Sequence, residues 1–146
     1  MESPPTILLI EDNPADQEMT RRALKHANSA IELEIVDDGE QAIDYLLRRD
    51  VYADLPVASP SLVLLDLNLP KLSGKDVIRE VRKTGALAHL PLIVMSTSHA
   101  EEDVLESYQL GCNSYLIKPN RFDSFVATME LVIRYWLEGV CLPKPK

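Results

Sequence analysis

Polar side chains that could take part in catalysis or ligand binding directly follow four short apolar runs of the sequence. They are Glu11 and Asp12 after residues 6–10, Asp66 after 62–65, Ser96 after 92–95 and Lys118 after 115–117. A short apolar run bounded by turn residues is typical of a strand that is buried on both faces. Each of these polar side chains is therefore expected at the carboxyl end of a strand.

The three carboxylates would repel one another if the fold brought them together without a cation, and a site made of oxygen ligands favours Mg²⁺. A carboxylate beside Mg²⁺ can act as a nucleophile toward a phosphoryl group. Lys118 could then neutralise charge on the transferred oxygens. The residue types therefore predict phosphoryl transfer to Asp66.

The residue at position 68 bears on how long a phosphoryl group would stay on Asp66. A phosphatase with an Asp nucleophile needs a second, acid–base carboxylate close by, whereas this chain has Asn68. We therefore expect the acyl phosphate to persist, as a signal requires. Two alternatives stay open, an Asp-based phosphohydrolase and a flavodoxin-like cofactor-binding protein. The phosphate loop of the latter would be rich in Gly, Ser or Thr, whereas this chain has Glu11-Asp12-Asn13.

Strand and helix patterns alternate five times between and around these side chains. The strand patterns cover residues 6–10, 32–36, 62–65, 92–95 and 115–117; helix starts are indicated at Asn13-Pro14, Asp38, Ser73-Gly74, about Ala100 and about Arg121. This alternation predicts an α/β fold with a doubly wound parallel sheet that helices cover on both faces. Parallel strands end at one edge of a sheet, so the polar side chains should converge there.

Composition limits the remaining possibilities. The chain has 146 residues, 46% of them hydrophobic, and a formal net charge of −8. We expect one domain over residues 1–146, with a core at about 6–137 and a short C-terminal extension at 138–146. The negative charge argues against binding to nucleic acid or to an anionic membrane. The sequence has no leader pattern and no apolar run of about 20 residues, so a cytoplasmic location is expected.

The last predicted helix, at about 121–138, has more apolar residues than one face can use. Residues 122, 125, 126, 129, 133 and 136 share a face at helical spacing, while Leu131 and Tyr135 point away from it. These two side chains are either scattered surface residues or part of a self-association face. The apolar residue Leu142 in the tail adds to the second interpretation.

Taken together, the sequence resembles the receiver domain of two-component response regulators. The resemblance rests on Glu11-Asp12, on Asp66 with Leu69-Pro70 and Gly74, on Ser96, and on Lys118-Pro119, and it covers about residues 6–137. It implies a flavodoxin-like sheet with strand order 2-1-3-4-5 and a cis peptide bond before Pro119.

The resemblance also implies the roles of the acidic residues. Asp66 would accept a phosphoryl group from the phosphohistidine of a histidine kinase. Asp12, Asp66 and the backbone carbonyl of Asn68 would bind Mg²⁺, and Glu11 would assist through water. The chain would then be a phosphoacceptor signalling protein rather than an enzyme, with at most slow Mg²⁺-dependent self-dephosphorylation.

A conformational switch is implied as well. Ser96 would move toward the phosphoryl oxygen, and Tyr115 would move inward into the space that Ser96 leaves. The fourth helix and the fifth strand would then present a changed surface to an unknown downstream protein. Thr97 stands where many receivers have Ala, which would narrow the access of water to Asp66.

Several short segments are similar to the single-domain response regulators of bacterial and cyanobacterial phytochromes. They are residues 65–71, 96–98, 113–115 and the pair Tyr135-Trp136. This similarity implies that the histidine kinase is a phytochrome and that no output domain follows the receiver. It also implies a homodimer formed through the fourth helix, fifth strand and fifth helix.

Overall fold

Strands and helices alternate along the chain in the computed structural model, which describes residues 4–28 and 30–143. The strands are β1 (Thr6–Ile10), β2 (Glu32–Val36), β3 (Leu62–Leu65), β4 (Leu92–Ser96) and β5 (Ser114–Ile117). The helices are α1 (Pro14–Ala27), α2 (Gly39–Leu47), α3 (Gly74–Lys83), α4 (Glu101–Leu110) and α5 (Phe122–Val132). The strand ranges predicted from the apolar runs are confirmed to within one residue at each end.

The strands form one parallel sheet in the order β2-β1-β3-β4-β5, which confirms the predicted doubly wound, flavodoxin-like topology. In its register, Ile10 lies beside Leu65 and Leu65 lies beside Val94. Ser96 in turn lies beside Ile117. The residues that follow these strands therefore leave the sheet at one common edge.

The sheet separates two apolar cores. Leu8 and Ile10 of β1 belong to the core shared with α2 and α3, whereas Ile7 and Leu9 belong to the core shared with α1 and α5. Every residue of the central strands β1, β3 and β4 is buried. This is why those strands read as continuous apolar runs rather than as alternating ones.

Side-chain caps define where the first three helices begin, as the sequence predicts. Asn13 Oδ1 accepts backbone N–H groups of the first turn of α1, and Asp38 caps α2 in the same way. Ser73 and Asp76 form a reciprocal capping box at the start of α3. These caps orient the helices at the edge where the strands end.

Two short 3₁₀ turns lie outside the elements predicted from the sequence. Helix α3 ends at Lys83 with Thr84 as its cap, and Gly85 begins a separate 3₁₀ turn. The segment between α2 and β3 contains a second 3₁₀ turn, at Asp50–Tyr52. Both turns are single-turn elements, which periodicity over a longer window does not detect.

The last helix has an α-helical part followed by a π-helical part. The α-helix ends at Val132 and continues as a π-helical segment, Ile133–Gly139, where one α-helix to about residue 138 was predicted. Phe122 is 44% exposed rather than facing inward, because it is the first helical residue and lies at the end of the helix. Leu131 and Tyr135 point outward as predicted. Across residues 4–28 and 30–143, no helix is long and apolar enough to span a membrane.

The predicted cis bond before Pro119 is wrong. Among the residues that the structure describes, no peptide bond is cis. A peptide bond before proline prefers the trans form only weakly, so the sequence leaves the isomer open. The Lys118 N–H donates to the Ser96 carbonyl at 2.7 Å, which extends the pairing of β4 and β5 by one residue.

Arg82 of α3 joins several backbone segments at the opposite edge of the sheet. Its guanidinium donates to the carbonyls of Gly111, Ala88 and Leu90 and to the Asn113 side chain, all at 2.8–3.0 Å. The Asn113 oxygen also accepts the N–H of Leu92, the first residue of β4. Arg82 therefore links the end of α4 and the segment before β5 to the start of β4.

Candidate functional site

Three carboxylates meet where β1 and β3 end. Glu11, Asp12 and Asp66 each offer an oxygen, and these oxygens lie within 4.8 Å of one another. The Glu11 N–H donates to the Val36 carbonyl at 3.1 Å, and the Asp66 N–H donates to the Ile10 carbonyl at 3.0 Å. The sheet hydrogen bonding thus continues one residue past each strand and sets the backbone position of these side chains.

The Lys118 ammonium lies among the same carboxylates, although its residue follows β5. Its Nζ is 2.6 Å from Glu11 Oε1, 3.0 Å from Asp16 Oδ2 and 3.6 Å from Asp66 Oδ2. The Lys118 side chain is 9% exposed. A buried ammonium needs such partners, since burying an unpaired charge is costly.

Asp16 was not predicted as part of this group. It lies in the first turn of α1, where an acidic residue is common because it stabilises the helix N-terminus. The charged residues predicted for the site all follow the ends of strands, whereas Asp16 lies in a helix. The signal that could have found it is its place three residues after the cap Asn13, since α1 begins at the edge where the strands end.

The pKa values of the site reflect burial opposed by charge. Burial raises the pKa of Glu11 to about 7, against the lowering effect of its hydrogen bond from Lys118, and the charge of Asp66 raises it further. Burial alone would lower the pKa of Lys118, but the hydrogen bond to Glu11 and the charge of Asp66 outweigh it and raise that pKa. One ammonium among several carboxylates leaves the site electronegative.

The donor set fits a hard divalent cation. Glu11, Asp12 and Asp66 supply carboxylate oxygens, which are the ligands that Mg²⁺ and Mn²⁺ prefer. Glu11 is 3% exposed whereas Asp12 is exposed, so the group opens to solvent on the Asp12 side. Asn68 lies beside it, with its backbone N–H 3.3 Å from Asp66 Oδ1. Ligation by the Asn68 carbonyl stays a prediction.

The two predicted switch residues both contact Ser98. Ser96 is fully buried, and its hydroxyl accepts the Ser98 N–H at 3.1 Å. The Tyr115 hydroxyl donates to the Ser98 carbonyl at 3.0 Å, and its ring packs against the core shared with α2 and α3. Ser96 and Tyr115 are thus linked through one residue of the loop between β4 and α4.

Ser98 connects this loop to two helices. Its hydroxyl donates to Asp103 Oδ2 in α4 at 2.6 Å. The other oxygen of Asp103 accepts from Lys75 of α3 at 2.8 Å, and Lys75 also contacts Glu106. These contacts hold the pKa of Asp103 below its usual value, with the Lys75 hydrogen bond as the largest cause. The sequence gives no sign of this connection between α3 and α4.

Asp66 lies between groups of opposite charge. Its side chain is 12% exposed, with Oδ1 near the Asn68 N–H and Oδ2 facing Lys118. Carboxylates that can hold a cation lie on one side of it and an ammonium on the other. Phosphoryl transfer depends mainly on such positioning and neutralisation of charge.

Comparison with known proteins gives consistent matches over nearly the whole chain. The response regulator Rcp1 of Synechocystis sp. is 39% identical over 140 residues, which are 96% of this chain and 94% of Rcp1. The crystal structure of the phosphorylated cyanobacterial phytochrome response regulator RcpA superposes with a TM-score of 0.88 at 35% identity, covering 96% of this chain and 99% of RcpA.

A second crystal structure, the Mn²⁺-bound form of Rcp1, superposes with a TM-score of 0.87 at 38% identity, covering 97% of this chain and all of that one. Residues 7–130 match the sequence profile of the response regulator receiver domain. The strand order and the acidic edge of the sheet agree with this profile. The chain therefore belongs to the family of response regulator receiver domains, and it is a signalling protein of two-component systems.

Proposed function

We propose that Asp66 is the residue that accepts a phosphoryl group from the phosphohistidine of a histidine kinase. A carboxylate oxygen of Asp66 attacks phosphorus while the bond from phosphorus to the imidazole nitrogen breaks. An acyl phosphate then stands on Asp66, and the imidazole remains on the kinase. The observation that carries this proposal is the position of Asp66 between the carboxylates of Glu11 and Asp12 and the ammonium of Lys118.

The proposed cation is Mg²⁺, held by Asp12 and Asp66, with Glu11 acting through water and the Asn68 carbonyl as a further ligand. When bound, it neutralises the phosphoryl oxygens and orients them. The Mn²⁺-bound form of Rcp1 supports a divalent cation in this family. The three carboxylates of this chain support the same position for it.

The proposed kinase is a phytochrome. RcpA is a cyanobacterial phytochrome response regulator, and this chain covers nearly all of its length. We place the chain in the cytoplasm, as a single receiver domain with its core at about 6–137 and a short extension at 138–146. Its chemistry would be acceptance of the phosphoryl group, with at most slow self-dephosphorylation.

The proposed readout is a switch in the loop between β4 and α4. A phosphoryl group on Asp66 would draw the Ser96 hydroxyl toward it and away from the Ser98 N–H, which is its partner in this structure. Tyr115 contacts the carbonyl of the same residue, so a change at Ser98 would reach β5 and α4. A downstream protein would recognise the changed surface.

The proposed assembly is a homodimer through α4, β5 and the last helix. Large apolar side chains are exposed on all three elements. They are Leu105 and Tyr108 on α4, Ile117 on β5, and Leu131 and Tyr135 on the last helix. Burial of such a surface against a second copy would remove apolar area from water.

Phosphotransfer tests the central proposal. The chain would be incubated with phosphorylated histidine kinases, phytochromes among them, and labelling would be followed by mass spectrometry. The wild type and the control Asp54→Asn, which changes an exposed carboxylate in the segment before β3, are expected to be labelled. Asp66→Asn is expected to remain unlabelled and folded, and full labelling of that variant would overturn the proposal.

A further inference from the structure

The Lys118 ammonium has three N–H donors and two hydrogen-bonded acceptors. Glu11 Oε1 accepts at 2.6 Å and Asp16 Oδ2 accepts at 3.0 Å. Asp66 Oδ2 is 3.6 Å away, close enough for an ion pair but too far for a hydrogen bond. With two donors engaged, one N–H remains, and Asp66 is the third carboxylate beside the ammonium.

The position of Asp16 is set by the start of α1. Pro14 is the first helical residue, and the Asn13 side chain accepts the N–H groups of Ala15 and Asp16 at 2.8 and 3.1 Å. The Asp16 carbonyl in turn accepts from the Thr20 hydroxyl at 2.8 Å. The helix cap therefore holds the Asp16 backbone in place and aims its carboxylate at Lys118.

We propose that Asp16 is a positioning residue for phosphoryl transfer, because together with Glu11 it orients the Lys118 ammonium so that one N–H stays directed at Asp66. The inference rests on the proposed role of Asp66 as acceptor. A phosphoryl group on Asp66 would place an oxygen in the gap between Asp66 and Lys118. With only Glu11 as an anchor, the ammonium could rotate, and its third N–H would lose its direction.

Asp16 could instead act only through its negative charge, and two neutral variants separate these roles. Asp16→Asn keeps an acceptor oxygen, whereas Asp16→Ala has none, so the two differ in the hydrogen bond but not in charge. Glu18→Gln is the matched control for charge on the same helix, because Glu18 pairs with Arg21 and Arg22 rather than with Lys118. Asp16 is partly exposed, and thermal unfolding would verify that each variant folds.

The probe is beryllofluoride, a mimic of the phosphoryl group, titrated in saturating Mg²⁺ and followed by NMR. Because a hydrogen bond to a charged group is stronger than one between neutral groups, we expect Asp16→Ala to bind it about tenfold more weakly than Asp16→Asn. Glu18→Gln should match the wild type. Equal or tighter binding by Asp16→Ala would overturn the inference. If Asp16→Ala did not fold, Asp16→Leu, which also lacks an acceptor, would replace it.

A second readout needs no ligand. The ¹⁵N-detected Lys118 ammonium signal reports whether that group is held by hydrogen bonds, and it should be retained in Asp16→Asn and broadened in Asp16→Ala.

Binding of the probe by Asp66→Asn separates a failure of the proposed acceptor from a failure of the proposed role of Asp16. If that variant bound the probe as well as the wild type, the proposed acceptor would be wrong. If the wild type bound the probe and Asp66→Asn did not, while Asp16→Ala and Asp16→Asn bound it equally, the acceptor would stand and the role of Asp16 would be wrong.

Discussion

Gly74 lies directly against the backbone carbonyl of Asp66, so close that a β-carbon at position 74 would overlap it. The Gly74 N–H donates to the Leu67 carbonyl at 2.9 Å. The first residue of helix α3 therefore packs against the backbone of Asp66, the proposed acceptor, and of Leu67. The missing side chain at position 74 allows this close approach.

Gly74→Ala should destabilise the protein by about 1–3 kcal/mol, the usual cost of forcing extra atoms into a packed region. It should also slow labelling of Asp66, because the loop after β3 must move to make room. Urea unfolding and phosphotransfer measure the two effects. Gly85→Ala is the control, since a β-carbon there meets nothing within 4 Å. An equal loss of stability in both variants would contradict the steric argument.

Removal of divalent cations should stop labelling of Asp66. Chelation leaves the phosphoryl oxygens without their counter-charge, and added Mg²⁺ should restore transfer. Asp12→Asn should weaken cation binding, measured by calorimetry, because it removes one charged oxygen ligand. Asp37→Asn removes an exposed carboxylate that follows β2 and should bind the cation as the wild type does. Unchanged binding by Asp12→Asn would remove that residue from the ligand set.

Acid stability should depend on the capping box of α3. Hydrogen bonds from Ser73 hold the pKa of Asp76 below its usual value of 3.8, with the hydroxyl contact as the largest cause. The folded-state pKa lies below the unfolded one, so the stabilisation is present above the unfolded pKa and is lost as pH falls through the folded pKa. Asp76→Asn should lose stability at neutral pH and converge with the wild type in acid.

The measurement is urea unfolding at several pH values for Asp76→Asn and for Glu40→Gln, which makes the same charge change in the first turn of α2. Only the first variant should flatten the acid dependence. Ser73→Ala removes the cap itself and should cost about 1 kcal/mol. If Glu40→Gln changed the acid dependence as much, the general charge of the helix ends would explain it instead.

Tyr115→Phe should separate acceptance of the phosphoryl group from its readout. The variant loses the hydrogen bond to the Ser98 carbonyl, which is worth about 1 kcal/mol. Labelling of Asp66 should be unchanged, while NMR shifts that phosphorylation causes in α4 and β5 should shrink. Tyr135→Phe alters an exposed tyrosine and should leave those shifts intact. Identical shifts in both variants would exclude Tyr115 from the switch.

Leu131→Glu should dissociate the proposed homodimer, because it puts a charge in the apolar surface of the last helix. Light scattering of the variant should give the monomer mass of 16.4 kDa, and the wild type should give twice that mass. Val51→Glu is a matched control, because Val51 and Leu131 are each 66% exposed and Val51 lies away from α4, β5 and α5. A monomeric wild type would remove the dimer proposal.

The grouping of Glu11, Asp12, Asp66 and Lys118 could be predicted from the sequence because it follows from topology alone. Residues that end parallel strands must share an edge, whatever the details of packing. The buried strands β1, β3 and β4 could also be predicted from the sequence, since each is a continuous apolar run. The starts of α1, α2 and α3 could be predicted because a side-chain cap is a local signal of two or three residues.

Contacts that depend on how elements cross were not predictable in this way. Asp16 contacts Lys118, which lies 102 positions further along the sequence, because α1 is placed over the strand ends. Ser98 links Ser96, Tyr115 and Asp103 because of a loop conformation that has no periodic pattern. The π-helical end and the isomer before Pro119 are likewise decided by packing and small energy differences, which residue type does not reveal.

The Arg82 contacts have a mechanical consequence for any signal that starts at Ser98. The Arg82 guanidinium donates to four acceptors, three of them backbone carbonyls. It thereby holds the Gly111 end of α4 and the segment before β5 at the edge of the sheet away from Asp66. The end of α4 near Ser98 is held by side-chain contacts, which are those of Ser98 with Tyr115 and Asp103 and the ion pairs of Lys75 with Asp103 and Glu106. If the contacts near Ser98 change while those of Arg82 stay, we expect the displacement of α4 to be larger at its first turn, nearest the acidic edge, than at Gly111.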